Sequence, residues 1–415
     1  LKNSLFLIAM SFLILSLFIG SIAADDSFVS DVSASADGDG LDLSLPSNDA
    51  GSEDVSLDAT AVDESEETKV NDANAEKAVL KDEGDGTFSQ LNTEISSYDI
   101  VNLTKNYIYS DGDDDYKDGI AINKAVTING NNFTLNANGQ KLFVIGENGA
   151  LTLNDVVIVN SYDDVNPMIR NAGTATFNNV NFTVERKFET SGTGLQYSTI
   201  ENTGEMNIAN SVFKDSSIQI KAFSSSQRPK TLNYHGLVYN KGGTIAIDNT
   251  LFSNNQFVSS NQFGNAPRIT AILENANGKT TLNNVSLIDN YCSYSNSQAN
   301  YFAFVKNNNN GQLIVNDSLF KNNTLVHSQN NANSKGVINS EGNSLTVSNS
   351  TFKENAVENQ VITSSDSNID IERNVFDSNN VRAINVLAVP AQAKVNYCIF
   401  VNNGNADVIK SADQD

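Results

Sequence analysis

Hydrophobic residues recur in pairs along this chain, in which the second member follows the first by five residues and is usually phenylalanine. The second members lie 25, 24, 31, 39, 35, 33, 32, 24 and 24 residues apart, so the spacing has a floor near 24 residues. Such self-similarity indicates a solenoid, in which each repeat packs on its neighbours and insertions extend some repeats. The ten pairs are Ile128/Phe133, Leu153/Ile158, Phe177/Phe182, Ile208/Phe213, Ile247/Phe252, Leu282/Leu287, Val315/Phe320, Val347/Phe352, Ile371/Phe376 and Val395/Phe400.

Each repeat carries the signals for three short strands. A residue two positions before the first anchor faces the same side as the anchor, which is the alternation of a strand. Two positions after the anchor, eight of the ten residues are Gly, Asn or Asp, which adopt left-handed backbone angles at least cost and so predict a kink. Asn follows the second anchor by three positions in seven repeats, and a third apolar segment ends in Asn-x-Gly, as at Asn171 and Gly173.

Three strands per repeat, stacked on equivalent strands, predict an all-β fold, a right-handed single-stranded parallel β-helix of about ten coils. A β-sandwich is the alternative, but it requires antiparallel hairpins and keeps no fixed column of stacked residues. Thr87 and Gln90 match a capping box, and Phe88, Leu91 and Ile95 follow at helical spacing. This segment predicts a short helix that covers the N-terminal end of the solenoid.

The chain divides into four predicted segments. Residues 1–23 contain Lys2, an apolar run and small residues before Ala23, which predict a cleaved signal peptide and an exported protein. An uncleaved membrane anchor is the alternative, although the apolar run is shorter than the roughly 20 residues of a membrane span. Residues 24–86 are predicted to be a disordered acidic linker, 87–125 a cap with the first strands, and 126–415 the β-helix repeats.

Charge is concentrated in the predicted linker. The whole chain has a formal net charge of −23, and residues 25–86 hold 19 Asp or Glu against three Lys. The repeats are only mildly acidic, so we expect no nucleic acid partner. The two cysteines, Cys292 and Cys398, lie about four coils apart, on the order of 19 Å, which is beyond the reach of a disulfide.

Seven Asn-x-Ser/Thr sequences are candidate glycosylation sites of an exported protein, although several also coincide with the predicted kinks. They begin at Asn102, Asn132, Asn181, Asn284, Asn316, Asn322 and Asn349.

The chain resembles the adhesin-like surface proteins of methanogenic archaea. The resemblance rests on the signal, the acidic spacer, the Gly86-Thr87-Phe88-Ser89-Gln90-Leu91 opening and the coil motif Asn349-Ser350-Thr351-Phe352-Lys353-Glu354-Asn355. It implies a β-helix like that of pectin lyases and a role in attachment at the cell surface. The implied partner is a surface glycan or protein of another cell, or the envelope of the same cell.

Four consecutive repeats carry insertions, 221–236, 256–268, 291–301 and 325–336, which stacking is expected to gather on one side of the solenoid. We call this side the insertion face. Its aromatic residues are candidate ligand contacts, although such residues also pack their own loops. They are Phe223, Tyr234, Phe257, Phe263, Tyr291, Tyr294 and Tyr301.

No catalytic constellation is recognisable in the sequence. The same fold hosts polysaccharide lyases and glycosidases, but a glycosidase requires two carboxylates, and the four insertions contain no Asp or Glu. We therefore predict a non-enzymatic surface protein without a cofactor. A polysaccharide-active enzyme and a purely structural spacer are the alternatives. Asp111, Asp113 and Asp115 resemble the start of a calcium loop, but the twelfth position is Ile122 instead of Glu, which favours a solvated loop.

Overall fold

The computed structural model describes residues 84–162, 167–188, 195–221, 232–260, 268–294, 301–327, 336–365, 367–387, 392–404 and 408–411. These residues form a helix, α1 (Phe88–Ser97), a 3-10 turn (Asp114–Tyr116) and three sheets of parallel strands. Strands that are distant in sequence are neighbours in each sheet, because each coil adds its strands to the three sheets, and some coils add two strands to the same sheet. The predicted parallel β-helix is thus confirmed.

The first sheet contains the first anchor of each pair. Its eleven strands are β1 Ile100–Asn102, β4 Ala125–Asn129, β7 Ala150–Asn154, β10 Thr174–Asn178, β14 Glu205–Ala209, β19 Thr244–Asp248, β23 Lys279–Asn283, β27 Gln312–Asn316, β31 Ser344–Ser348, β34 Asn368–Glu372 and β37 Ala393–Asn396.

The second sheet contains the phenylalanine positions. Its fifteen strands are β2 Tyr107–Ile108, β5 Thr134–Asn136, β8 Val157–Tyr162, β11 Asn181–Phe188, β15 Val212–Lys214, β16 Ser217–Lys221, β20 Leu251–Ser253, β21 Gln256–Ser260, β24 Ser286–Ile288, β25 Tyr291–Tyr294, β28 Leu319–Lys321, β29 Thr324–His327, β32 Thr351–Lys353, β35 Val375–Asp377 and β38 Ile399–Val401.

The third sheet contains the segments that end in Asn-x-Gly. Its thirteen strands are β3 Ile120–Ile122, β6 Phe143–Ile145, β9 Ile169–Asn171, β12 Leu195–Tyr197, β13 Ile200–Asn202, β17 Leu232–His235, β18 Val238–Lys241, β22 Arg268–Ala276, β26 Tyr301–Asn308, β30 Ile338–Glu341, β33 Gln360–Ser364, β36 Arg382–Val386 and β39 Ile409–Ser411.

Like residues stack on like residues in the core, as the repeat predicts. The first anchors pair coil by coil from Ile128 to Val395. In the second sheet the rings of Phe320, Phe352 and Phe376 are stacked, with centroids 4.6 and 4.9 Å apart. Offset stacked rings bury a large apolar area at each rung.

The first predicted repeat has a different register from the one that the spacing suggested. Leu135, not Phe133, pairs with Ile158 of the next coil, and Phe133 is only partly buried beside the core. The reason is the kink, where Asn131 and Asn132 both adopt positive φ angles of 50° and 64°. The longer kink moves the inward position two residues along the chain. One further coil precedes this repeat, with β1 paired to β4 and β2 paired to β5.

The two turn types use left-handed residues. Nine of the ten predicted kink residues have φ between 48° and 55°, including Arg373 and Tyr397, whose residue types do not favour it. At the second turn the left-handed residue is the one before the asparagine, for example Asp289 before Asn290. The asparagine itself is therefore turned inward, and Asn290 is fully buried.

Buried amide ladders connect the coils at both Asn positions. At the second turn, Asn255 Nδ2 donates to Asn290 Oδ1 at 3.0 Å, and the pattern continues through Asn323, Asn355, Asn379 and Asn403. The same side chains also donate to backbone oxygens one coil away. Each ladder satisfies polar groups that would otherwise be buried without partners.

A second ladder lies at the glycine turn. Asn171, Asn202, Asn240, Asn275 and Asn307 are bonded in sequence, and Asn307 Nδ2 donates to Ser340 Oγ at 3.0 Å. The adjoining glycines are required by close approach, since a Cβ on Gly204 would lie 2.1 Å from the oxygen of Gly173. This contact explains why glycine recurs after the third strand.

The predicted capping helix closes the N-terminal end. Gln90 N–H donates to Thr87 Oγ1 at 3.2 Å and Thr87 N–H donates to Gln90 Oε1 at 3.3 Å, which completes the capping box. Phe88, Leu91 and Ile95 are buried against the first coils. Gly86 N–H donates to Asn106 O at 2.7 Å, so the fold includes the last residue that was assigned to the linker.

The predicted signal peptide, 1–23, and the linker up to residue 83 lie outside the described residues. Among the residues that are described, no helix has the length and apolar character needed to span a membrane. Cys292 and Cys398 are both free thiols, in agreement with the register argument.

Candidate functional site

In four consecutive coils the second sheet continues beyond the second turn. β16, β21, β25 and β29 begin directly after the turn and pair side by side in unbroken register, with the C-terminal half of β11 along one edge. Each of these four strands leads into one of the predicted insertions. They form a parallel sheet in the coils that carry the predicted insertions.

The outward side of this extension carries exposed apolar residues, whereas the alternate residues, such as Phe257, are buried. Val258 and Val326 are 36% and 44% exposed, and Tyr291 is 36% exposed. The register places Val258 and Val326 in one row with Ser293 between them, and Tyr291 in the neighbouring row on the middle strand. The three side chains form a triangle roughly 10 Å across. We call Val258, Tyr291 and Val326 the apolar patch.

Polar side chains border the apolar patch. Gln256 and Thr324 flank Tyr291 in its row, and Ser293 separates the two valines. On β11, the strand next to β16, Lys187 Nζ lies 3.0 Å from Glu185 Oε1. An aromatic ring among amides and hydroxyls suits the apolar face of a sugar and its hydroxyl groups, and equally suits a protein surface.

The structure separates the predicted aromatic contacts into different environments. Tyr291 is exposed, but Tyr234 and Phe257 are each only 1% exposed and their ring centroids lie 6.0 Å apart in the core. These two residues are core residues and not ligand contacts, because they occupy the inward positions of their strands. Phe223 and Phe263, and the side chains of Tyr294 and Tyr301, lie outside what the structure describes.

A second set of functional groups lies on the outer face of the third sheet. Glu201, Tyr239, Glu274 and Lys306 are in register on four adjacent coils. His235 stacks on Tyr239 with ring centroids 4.2 Å apart. These carboxylates lie outside the four insertions, at the middle position of the apolar-x-Asn motif in the third strand of the coil, so a search of the insertions alone does not find them. The apolar residue and the asparagine on either side of this position both face inward, so the sequence pattern predicts that the residue between them faces outward.

Glu274 is a buried carboxylate whose two oxygens both have partners. Asn308 Nδ2 donates to Oε1 at 2.5 Å, and Thr270 Oγ1 donates to Oε2 at 2.8 Å. His235 Nδ1 lies 2.9 Å from Oε2, at the distance of an ion pair but without the alignment of a hydrogen bond. Burial alone raises the pKa of Glu274, but His235, Lys306 and Thr270 outweigh it and hold the pKa below its ordinary value. The carboxylate therefore stays ionised and connects neighbouring coils.

Glu201 also forms ion pairs, but its side chain is more exposed to solvent than that of Glu274. Its side chain is 15% exposed, and its oxygens lie 3.5 Å from Arg170 Nε and 3.7 Å from Lys241 Nζ. Tyr239, between Glu201 and Glu274, has a pKa raised by burial first and by these two carboxylates second. The tyrosine hydroxyl therefore remains protonated at neutral pH.

The candidate calcium loop has a structural role in this protein. Asp113 is buried and accepts hydrogen bonds from the N–H groups of Phe88 and Ser89, at 3.2 and 2.9 Å, at the N-terminus of α1. An anion at this end of a helix pairs with its free N–H groups and its dipole. Asp111 and Asp115 are exposed. Within the described part of the chain, no group of three or more His, Cys, Asp or Glu is placed to hold a metal ion.

The sequons mostly occupy corners of the coils. Asn132, Asn284, Asn322 and Asn349 are exposed residues with positive φ at the turns, and Asn102 is exposed on β1. Asn181 and Asn316 are half-buried. Asparagines at these corners are required by the turns, so the sequons have a structural explanation beside the modification that they permit.

No protein-family profile matches this sequence, and no curated protein matches it significantly. Among solved structures, the chain is similar to PfbA, a surface adhesin of Streptococcus pneumoniae. The TM-score is 0.27 and the sequence identity is 10%, over 78% of this chain and 90% of PfbA. At these values the likeness carries no argument about function.

Proposed function

We propose that this protein is an exported, non-enzymatic adhesin-like protein of the cell surface. The observation that carries the proposal is the apolar patch, three exposed side chains on three adjacent parallel strands in the coils that carry the insertions. Rigid strands hold these side chains in place before binding, so little conformational entropy is lost when a partner docks. The partner is a surface glycan or protein of another cell, or the envelope of the same cell.

Export and attachment are also supported by the sequence. The apolar N-terminal segment has the pattern of a signal peptide, and the acidic composition that follows it is typical of a linker in front of a surface module. The resemblance to adhesin-like surface proteins points in the same direction. The aromatic residues Phe223, Phe263, Tyr294 and Tyr301 of the insertions are proposed as further ligand contacts.

A binding screen against whole cells and an array of glycans tests the proposal. Replacing Tyr291 with Ser is expected to weaken binding at least about tenfold, because a buried interface tyrosine is often a hot spot. Val258→Lys and Val326→Lys are expected to act in the same direction by placing a charge on the patch. Tyr98→Ser is the matched control, since Tyr98 is 63% exposed at the end of α1, away from the patch. Binding that survives all three patch substitutions would place the function elsewhere or leave a structural spacer.

A polysaccharide-active enzyme is the second candidate, because Glu201 and Glu274 face the same side two coils apart, roughly 10 Å between their strands. That separation is near the range in which inverting glycosidases hold their carboxylates. Both groups are already paired, which favours a structural role. Release of reducing ends from a polysaccharide, abolished by Glu201→Gln or Glu274→Gln with the fold intact, would establish the enzyme instead.

A further inference from the structure

A lysine and an asparagine are buried side by side on the outer face of the third sheet. The register pairs Lys306 with Asn339, and Asn308 with Glu341, on the neighbouring strands β26 and β30. Lys306 is 5% exposed and Asn339 is fully buried. Lysine is rarely buried to this degree, so its position next to a buried amide calls for an explanation.

Glu341 contacts both of these groups. Asn339 Nδ2 donates to Glu341 Oε1 at 3.2 Å, and Glu341 Oε2 lies 3.9 Å from Lys306 Nζ. Asn339 Oδ1 is buried and has no hydrogen-bond partner among the described residues. An amine, an amide carbonyl and a carboxylate that contacts both therefore meet in one place, in which Asn339 and Lys306 are buried and the Glu341 side chain is 28% exposed.

We propose that Lys306 and Asn339 join in an intramolecular isopeptide bond, with Glu341 transferring the protons. Glu341 takes a proton from the Lys306 ammonium, and the neutral Nζ attacks Asn339 Cγ. Glu341 then returns the proton to the amide nitrogen as the Cγ–Nδ2 bond breaks. Of the three Nζ hydrogens, one stays on the new amide and two leave with the NH2 group as ammonium. No oxidant, cofactor or activated reagent is needed.

The surroundings favour this reaction over its competitors. Burial of Asn339 limits the access of water to its amide, and so limits the hydrolysis that would convert Asn339 to Asp. Adjacent strands hold the backbones of the two reacting residues about 5 Å apart. Folding has therefore already met much of the entropic cost of bringing the amine to the amide. Other lysines in the described residues lie in more open surroundings, for example Lys241, whose side chain is 57% exposed although it is 3.7 Å from Glu201.

The bond would be a covalent cross-link between one coil and the next. It joins residues that are 33 positions apart in sequence and adjacent in the stack. A solenoid opens by separating neighbouring coils, since each repeat contacts only its neighbours. A covalent link across one such boundary keeps the two coils together when the chain is pulled or heated, as a surface protein requires.

Peptide mapping of the purified full chain tests the proposal. The denatured protein is digested with trypsin, which does not cut at an acylated lysine. We expect a branched peptide in which 280–321, uncut at Lys306, is joined to 336–353 with the loss of one ammonia molecule. Recovery of 280–306 and 336–353 as separate peptides, after long incubation of the folded protein, would overturn the proposal. A link from Lys306 to Asn308 would overturn it too.

Variants assign the roles of the three groups. Lys306→Arg keeps the positive charge but is expected to abolish the branched peptide. Glu341→Gln is expected to abolish the branched peptide or to slow its formation at least about a hundredfold, because proton transfer by a positioned side chain contributes that much or more to the rate. Lys241→Arg is the matched control and should leave the branched peptide intact. Circular dichroism is used to check that each variant folds. If a variant does not fold, the peptide map of the unaltered chain still shows whether the Lys306–Asn339 bond forms.

Discussion

The buried asparagine ladder at the second turn provides the sharpest test of how the coils are held together. Asn323 lies in the middle of that ladder and is fully buried. Its Oδ1 accepts from Asn290 N–H at 3.2 Å and from Asn290 Nδ2 at 2.9 Å. Its Nδ2 donates to Leu287 O at 2.8 Å and to Asn355 Oδ1 at 3.0 Å. One side chain therefore connects three coils.

Asn323→Ala removes these four bonds without adding any new group. Asn355 Oδ1 keeps a partner in the backbone N–H of residue 323, and Asn290 Nδ2 keeps Phe252 O. The Asn290 N–H and one Nδ2 hydrogen are left buried without partners. Each buried unsatisfied group costs about 1–3 kcal/mol, so the loss of partners at these two groups should lower the free energy of unfolding by about 2–6 kcal/mol.

Denaturant unfolding, followed by circular dichroism, measures this loss. Because a solenoid need not unfold in one step, hydrogen exchange at the Asn290 amide is the local readout, and its protection should fall in Asn323→Ala. Asn316→Ala is the matched control. Asn316 also bridges two coils, through Asn283 at 2.8 Å and Ser348 at 2.7 Å, but it is half-exposed and water can replace its bonds.

We expect Asn316→Ala to cost less than about 1 kcal/mol, which is the net value of a hydrogen bond whose partners can return to water. Asn323→Ser should fall between the two variants, because serine continues the other buried ladder at Ser340. An Asn323→Ala loss no larger than that of Asn316→Ala would refute the reasoning that unsatisfied buried amides dominate the cost.

Three further predictions concern the core, the cap and the ion pair. Phe352→Ala should lower the free energy of unfolding by about 3–5 kcal/mol in denaturant titrations; Phe352→Leu should cost less than about 1.5 kcal/mol, since Leu287 occupies the same column. Asp113→Ala should cost about 1–3 kcal/mol by removing the acceptor for two N–H groups of α1, and amide exchange in the helix should rise; exposed Asp115→Ala is the control. Glu274 has a lowered pKa when folded, so its stabilisation is present above the ordinary glutamate value of 4.5 and is lost as pH falls through the folded pKa. The stability difference between the native chain and Glu274→Gln should therefore shrink in acid, and a difference that is constant from neutral pH to pH values well below 4.5 would contradict the ion-pair assignment.

The repeat, the three strands per coil, the kink positions and the capping helix could all be predicted from the sequence. The reason is that a solenoid is made of local units, in which each strand needs only its own alternation and each turn only its own Asn or Gly. The column from Ile158 to Phe400 follows from five-residue spacing alone. The inward position of Leu135 could not be predicted from that spacing, because the longer kink at Asn131 and Asn132 leaves the hydrophobic pattern of the sequence unchanged.

What only the tertiary structure decided is which residues from different coils become neighbours on the outer faces. Alternation along each strand decides that Phe257 is buried and Tyr291 is exposed, but only the register across coils brings Tyr291 close to Val258 and Val326. The insertions vary in length, so sequence distance does not give spatial distance for Lys306 and Asn339, or for Asp113 and α1. Stacking at about 4.8 Å per coil brings such residues together. Local patterns thus determined the scaffold, and contacts between coils determined its chemistry.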